Sequence, residues 1–163
     1  MKNKIKNYCL NIAYDGTNYS GWQFQPDRKT IQSELEKGLK NIFPKQEIKI
    51  AGSGRTDANV HAFNQIATVM LESNLTCNQL QLALNGNLPN DIYVNTCTIK
   101  NNDFHARFSA KKREYIYYIS NTFSPMNRLY SWNINWKIDL ANLHECSKMI
   151  IGKHDFTSFS KAS

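Results

Sequence analysis

The sequence predicts an α+β fold: an antiparallel sheet with helices on one face, in a ferredoxin-like β-α-β-β-α-β order, followed by an incomplete second half. Three observations predict it. Residues 8–14 alternate apolar and polar positions, and further β-rich runs lie at 63–71 and 92–99. Apolar residues recur at helical spacing in two segments that begin after Thr30 and Thr76. Turn formers, Asp15-Gly16, Pro44 and Gly86, separate these pieces.

Each element has its own signal. Tyr8, Leu10, Ile12 and Tyr14 share one face while Cys9, Asn11 and Ala13 share the other, the pattern of a half-buried strand. Asp15-Gly16 ends it, and a polar, aromatic loop follows through Pro26. Thr30 caps a helix carrying Ile31, Leu35, Leu39 and Ile42, which ends near Pro44. A strand at about 47–52 leads into the run from Gly52 to Ala62, too rich in glycine and small residues for a helix interior, and the strand at 63–71 follows. Thr76 caps a second helix with Leu80, Ala83 and Leu84, closed by Gly86 and followed by Pro89. Ile92–Ile99 reads as another strand.

The polar turn Lys100-Asn101-Asn102-Asp103 divides the chain into an expected first domain, 1–103, and the start of a second, 104–163. In the second, Arg113–Ile119 alternates, with Tyr115 and Tyr117 on one face, and Leu129–Trp136 is its expected partner strand. Asp139 caps a third helix bearing Leu140, Leu143, Ile150 and Ile151, with Gly152 at its end. Two strands and one helix close a core poorly, so the chain reads as truncated, a fragment or one that leans on a partner.

Composition narrows the function classes. The 163 residues allow one ordinary domain or two small ones, and 41% hydrophobic with 12% aromatic content excludes global disorder. A formal net charge of +7 favours a polyanionic partner, nucleic acid before membrane. Cys9, Cys77, Cys97 and Cys146 are scattered, with no CxxC and no histidine at finger spacing, which argues against a zinc site. They read as free thiols of a reducing cytoplasm. The first residues lack the apolar core of a signal peptide, and no stretch approaches the ~18 apolar residues of a membrane span.

The run Gly52-Ser53-Gly54-Arg55-Thr56-Asp57-Ala58-Asn59-Val60-His61-Ala62 places an arginine and a carboxylate two residues apart in a loop between strands, where a chain presents charge to a ligand on a rigid base. With YDGTNYSGWQFQP (14–26), LNGNLPNDI (84–92), FHARFSAKKREYIY (104–117) and GKHDFTSF (152–159), it resembles the tRNA pseudouridine synthase A family along the whole chain. The resemblance implies an isomerase without cofactor or metal that converts uridine to pseudouridine in the anticodon stem-loop of tRNA, at positions 38, 39 and 40. It also implies two related halves around a basic cleft, and a homodimer.

By match to the family motif Asp57 is the catalytic carboxylate. It adds to uracil C6, attacks ribose C1′ or removes a ribose proton; the sequence leaves the three routes open, and all need an ionised aspartate beside an extruded nucleotide. If the loop is locally extended, Arg55 and Asp57 share a side, and Arg55 holds the carboxylate ionised and contacts substrate. Thr56 and His61 read as loop supports. Asn59 stands where the family has glycine, and asparagine tolerates the left-handed backbone expected there. Tyr115 matches the family position that stacks on the target base. Arg107, Lys111, Lys112 and Arg113 form a basic run suited to RNA phosphates, with Gln23 a further RNA contact and Trp22 mainly packing. Phe104, His105 and Phe108 are expected between the halves, and Asp155 and Phe156 in an ordered turn.

Two rival readings accompany this one. A shortened chain keeps Asp57, Arg55 and Tyr115 yet holds them too loosely to turn over, leaving a tRNA-binding fragment. An RNA-binding ferredoxin-like module unrelated to the synthases predicts exposed aromatics on the sheet in place of a buried carboxylate.

Overall fold

The structure, a computed structural model, describes residues 4–159. It divides into two units, the first ending at Glu114 and the second beginning at Tyr115. The division falls beyond the polar turn at 100–103 because residues 104–113 are tied to the first unit. Asn7 Nδ2 donates to Phe104 O at 2.8 Å, Ala106 is buried, and Arg113 reaches Ser53.

The first unit runs β1 (Ile5–Tyr14), α1 (Ile31–Ile42), β2 (Ile50–Gly52), β3 (Ala62–Glu72), α2 (Cys77–Asn85) and β4 (Ile92–Lys100). The four strands make one antiparallel sheet in the order β2-β3-β1-β4. The central strand β1 sets Leu10 opposite Ala67 on one side and Cys97 on the other. Its alternation works as expected. Tyr8, Leu10, Ile12 and Tyr14 are buried in one cluster with Ile31, Leu35 and Leu39 of α1, Leu80 and Leu84 of α2, and Val69, Leu71 and Val94 of the flanking strands. Each fully buried aliphatic side chain contributes about 1.5–3 kcal/mol.

Both helices start where their threonines sit. Thr30 Oγ1 accepts from Ser33 N–H at 3.2 Å while Ser33 Oγ accepts from Thr30 N–H at 3.0 Å. Thr76 and Gln79 repeat the exchange at 3.2 and 3.0 Å. These reciprocal caps satisfy amides that the first turn leaves without helical partners. Strand β2 is shorter than the expected 47–52. It is an edge strand held only by β3, and Glu47 and Lys49 outside it form an exposed ion pair at 2.6 Å.

The second unit holds β5 (Ile119–Ser120) and β6 (Trp132–Asn133), paired in parallel, α3 (Leu140–Ile150) and a 3₁₀ turn (Thr157–Phe159). The longer strands expected over Arg113–Ile119 and Leu129–Trp136 therefore contract to two residues each. Alternation favours a strand only where a neighbour supplies the ladder of hydrogen bonds; Trp132 N–H reaches Tyr118 O at 2.7 Å, and residues 113–117 before it form no strand. Helix α3 forms as expected, with Asp139 Oδ1 accepting from Ala141 and Asn142 N–H at 3.0 Å. None of its residues is buried, and Ile134 alone is buried among the described residues of this unit. No helix among the described residues is long and apolar enough to cross a membrane.

Candidate active site

The loop between β2 and β3 is pinned at both ends. Ser53 N–H donates to Ile66 O at 2.7 Å, and Gln65 Nε2 donates to Gly54 O at 2.6 Å. Arg113 donates to the Ser53 carbonyl from Nε at 3.0 Å and Nη2 at 2.6 Å. At the far end Gly16 N–H donates to His61 Nδ1 at 3.2 Å, and the same nitrogen lies 3.0 Å from Asp15 Oδ1. His61 is thus a loop support, as its position suggested.

The centre of the loop rests on the segment that follows β1. Trp22 N–H donates to Thr56 O at 3.0 Å, and the Tyr14 hydroxyl bonds the Thr56 hydroxyl at 2.9 Å. Tyr14 and Trp22 are 4% and 3% exposed, so both anchors belong to the core. Trp22 lies flat enough against Gly52 that a Cβ there would come within 2.5 Å of its ring. Gly21, at φ +91°, passes so close to the loop that a Cβ would lie 2.5 Å from Thr56 O. Tyr19 is buried and donates its hydroxyl to Asp91; burial and that carboxylate hold the phenol far above its ordinary pKa, so it stays protonated. Asn59 takes φ 64°, the left-handed conformation foreseen for it.

Thr56 is therefore the fixed residue, and Arg55 and Asp57 flank it, both exposed. Both charged side chains are presented outward from a rigid peptide. The expected Arg55–Asp57 ion pair is not formed: among the described residues the ion pairs within 4.0 Å are elsewhere. What is anchored here is the backbone, and the two side chains extend from it without touching. The carboxylate is open to solvent.

The other site expectations are met unevenly. Arg113 spends its guanidinium on the loop base, and Lys112 pairs with Glu114, while Arg107 and Lys111 are exposed. Gln23 is exposed beside the buried Trp22. Tyr115 lies in the second unit, 64% exposed and outside any strand. Phe108 is largely exposed, with its ring 4.5 Å from that of His105. Asp155 Oδ1 accepts from Thr157 N–H at 2.9 Å, forming the ordered turn expected there. Sequence reasoning missed Tyr14, Gly21, Gln65 and Arg113 as loop braces. Tyr14, Gly21 and Arg113 carried a visible signal, their places in the YDGTNYSGWQ and FHARFSAKKREYIY runs, and Gln65 carried none.

The family profile described as tRNA pseudouridine synthase matches residues 11–109, which take in the loop and all its braces except Arg113. The tRNA pseudouridine synthase A 1 of Desulfotalea psychrophila is 45% identical over 157 residues, 95% of this chain and 62% of its own length. The protein of the same name from Protochlamydia amoebophila is 42% identical over 155 residues, 94% of this chain and 60% of its own. The tRNA pseudouridine synthase A of Borreliella burgdorferi is 43% identical over 159 residues, 96% and 64%. The chain thus spans less than two thirds of the length of these relatives. From the profile and these identities, the chain belongs to the tRNA pseudouridine synthase family.

Proposed function

We propose that this protein isomerises uridine to pseudouridine in tRNA, with Asp57 as the essential carboxylate. The observation that carries the reading is the presentation of Asp57: an accessible carboxylate on a peptide fixed by Trp22 and Tyr14, within the segment matched to the family. In the reaction the C1′–N1 bond breaks and a C1′–C5 bond forms, while C5 loses a proton and N1 gains one. Nothing is oxidised or reduced, so the protein need supply only acid, base or nucleophile and a surface that holds the detached base. Asp57 serves through addition to C6, attack at C1′ or removal of a ribose proton.

Arg55 beside it contacts substrate, and Tyr115 offers a ring for stacking on the extruded uracil, a contact worth about 1–3 kcal/mol. Arg107, Lys111 and Lys112 with Gln23 meet phosphates, and Arg113, held at the loop base, adds positive potential there. The strand order and two helices packed in one cluster support a ferredoxin-like first half. We assign the anticodon stem-loop, positions 38 to 40, as the target, and a cytoplasmic homodimer as the working form.

The test is an unmodified tRNA transcript treated with the protein or its Asp57→Ala variant, then mapped by carbodiimide labelling and primer extension. The reading requires stops in the anticodon arm with the parent chain and none with the variant. Equal stops in both reactions would remove Asp57 from the chemistry. Binding of tRNA by the parent without conversion would instead identify a non-catalytic fragment.

A further inference from the structure

The sheet has a face without helices, and the two ends of that face differ. One end is covered: Asn7 Nδ2 donates to Asn101 O at 2.9 Å and Phe104 O at 2.8 Å, Ala106 N–H donates to Thr68 Oγ1 at 3.4 Å, and Asn7, Thr68 and Ala106 are buried. The other end, where β1 finishes and β3 begins, carries two large rings in the open. Phe63 is 66% exposed and Tyr93 55% exposed. Tyr93 pairs with Ala13, and Phe63 follows Ala62, the partner of the core residue Tyr14. Tyr93 therefore lies on the face opposite the core, and Phe63, next to Ala62 at the register shift of β3, is turned out from the core on the other strand that flanks β1.

Beside the rings lies a row of amides. Asn11 Nδ2 donates to Asn64 Oδ1 at 3.2 Å, and Asn95 Nδ2 donates to Asn11 Oδ1 at 3.4 Å and to Phe63 O at 3.1 Å. Register shifts in both ladders, between Ile12 and Tyr14 against β3 and between Asn11 and Ile12 against β4, coincide with Asn64 and Asn95. Bulges of this kind re-aim side chains and break the regular pleat.

We infer that Phe63, Tyr93 and the Asn11–Asn64–Asn95 row form a platform for unpaired RNA, one base stacked on each ring. The occupant follows from chemistry on the page. Nucleobases offer flat faces to isolated rings and polar edges to amides, and a chain of net charge +7 attracts a polyanion. Phe63 stands two residues beyond His61, the last residue of the Asp57 loop, so the platform follows that loop directly in the chain. The inference rests on the RNA-acting reading above and extends it to the nucleotides beside the target.

The test titrates the 163-residue chain into a short fluorescein-labelled oligouridylate and follows anisotropy at two salt concentrations. The variants are Phe63→Ser, Tyr93→Ser and the double substitution, all at exposed positions, with melting curves as the check on folding. Each ring lost weakens binding about fivefold or more, with the salt slope unchanged because no phosphate contact is removed. Equal affinity of parent and double variant overturns the platform and leaves the synthase reading standing. A parent that fails to bind the oligouridylate even at low salt overturns the platform. A double variant that changes oligomeric state without losing RNA affinity assigns the face to a second copy of the chain and overturns the platform.

Discussion

Gly21 gives the sharpest test of how Asp57 is held. An alanine there places its Cβ 2.5 Å from Thr56 O and 3.1 Å from the Asp57 carbonyl carbon, on a backbone at φ +91°. Relieving the first contact to the 3.0 Å floor of real Cβ contacts moves the Thr56–Asp57 peptide by at least about 0.5 Å. The left-handed region adds about 1–2 kcal/mol of strain for a residue with a Cβ. A displacement near 1 Å costs about 100-fold in rate, so half of that shift predicts a loss of about tenfold in turnover at saturating tRNA. Gly38→Ala is the control. It meets Leu84 Cδ1 at 3.0 Å inside α1, away from the loop, and alanine's helix preference of about 1 kcal/mol offsets the contact. The assay is pseudouridine formation alongside urea denaturation for both variants. A Gly21→Ala protein with the parent's turnover, or a Gly38→Ala protein equally slowed, would refute the reasoning that the peptide's position sets the rate.

Other outcomes follow from the same geometry. Asp57→Asn leaves stability within about 0.5 kcal/mol, because an exposed side chain outside the ion pairs is removed; denaturant midpoints check it. Arg113→Ala frees the Ser53 carbonyl and speeds amide hydrogen exchange across residues 53–60, with an equilibrium cost of about 0.5–1.5 kcal/mol. Thr30→Ala removes the α1 cap and costs about 1 kcal/mol, read from the same midpoints. Cys97 supplies a pH signature: burial first, then Cys77 beside it, pushes its thiol from 9.0 up to about 12. The folded state thus holds a proton that the unfolded chain gives up, so this contribution to stability is complete below pH 9 and is lost as pH rises toward 12. Cys97→Ala flattens that decline in denaturation curves taken across the alkaline range.

The first unit was largely legible because its signals are local and mutually consistent. The period-two pattern of β1, the threonine caps and the turn residues each name an element, and all agree with one sheet. The loop's backbone was legible too, since the glycine that the family has where Asn59 stands implied the left-handed turn that Asn59 takes. Side-chain outcomes were less so. Arg55 and Asp57 stand two apart as an extended loop requires, yet spacing says nothing about whether two exposed charges meet across water. The braces from Tyr14, Gly21 and Arg113 come from distant sequence and emerge only once the chain folds. The second unit failed for a different reason: Tyr115 to Tyr118 carry strand residues, but a ladder needs a neighbour, and only Ile119–Ser120 find one in Trp132–Asn133. The features expected of an unrelated RNA-binding module are both present, exposed sheet aromatics in Phe63 and Tyr93 and an Asp57 that is exposed and not buried, although the family match excludes that origin.

The central claim is that an anchored, accessible Asp57 drives isomerisation, and the fate of the uracil C5 hydrogen reports it most directly. A tRNA transcript carrying tritium at uracil C5 is incubated with the parent chain and with Asp57→Asn, and label released to water is counted. The account predicts release by the parent and none by the variant, with both proteins binding the transcript. Equal release by the two proteins would contradict it.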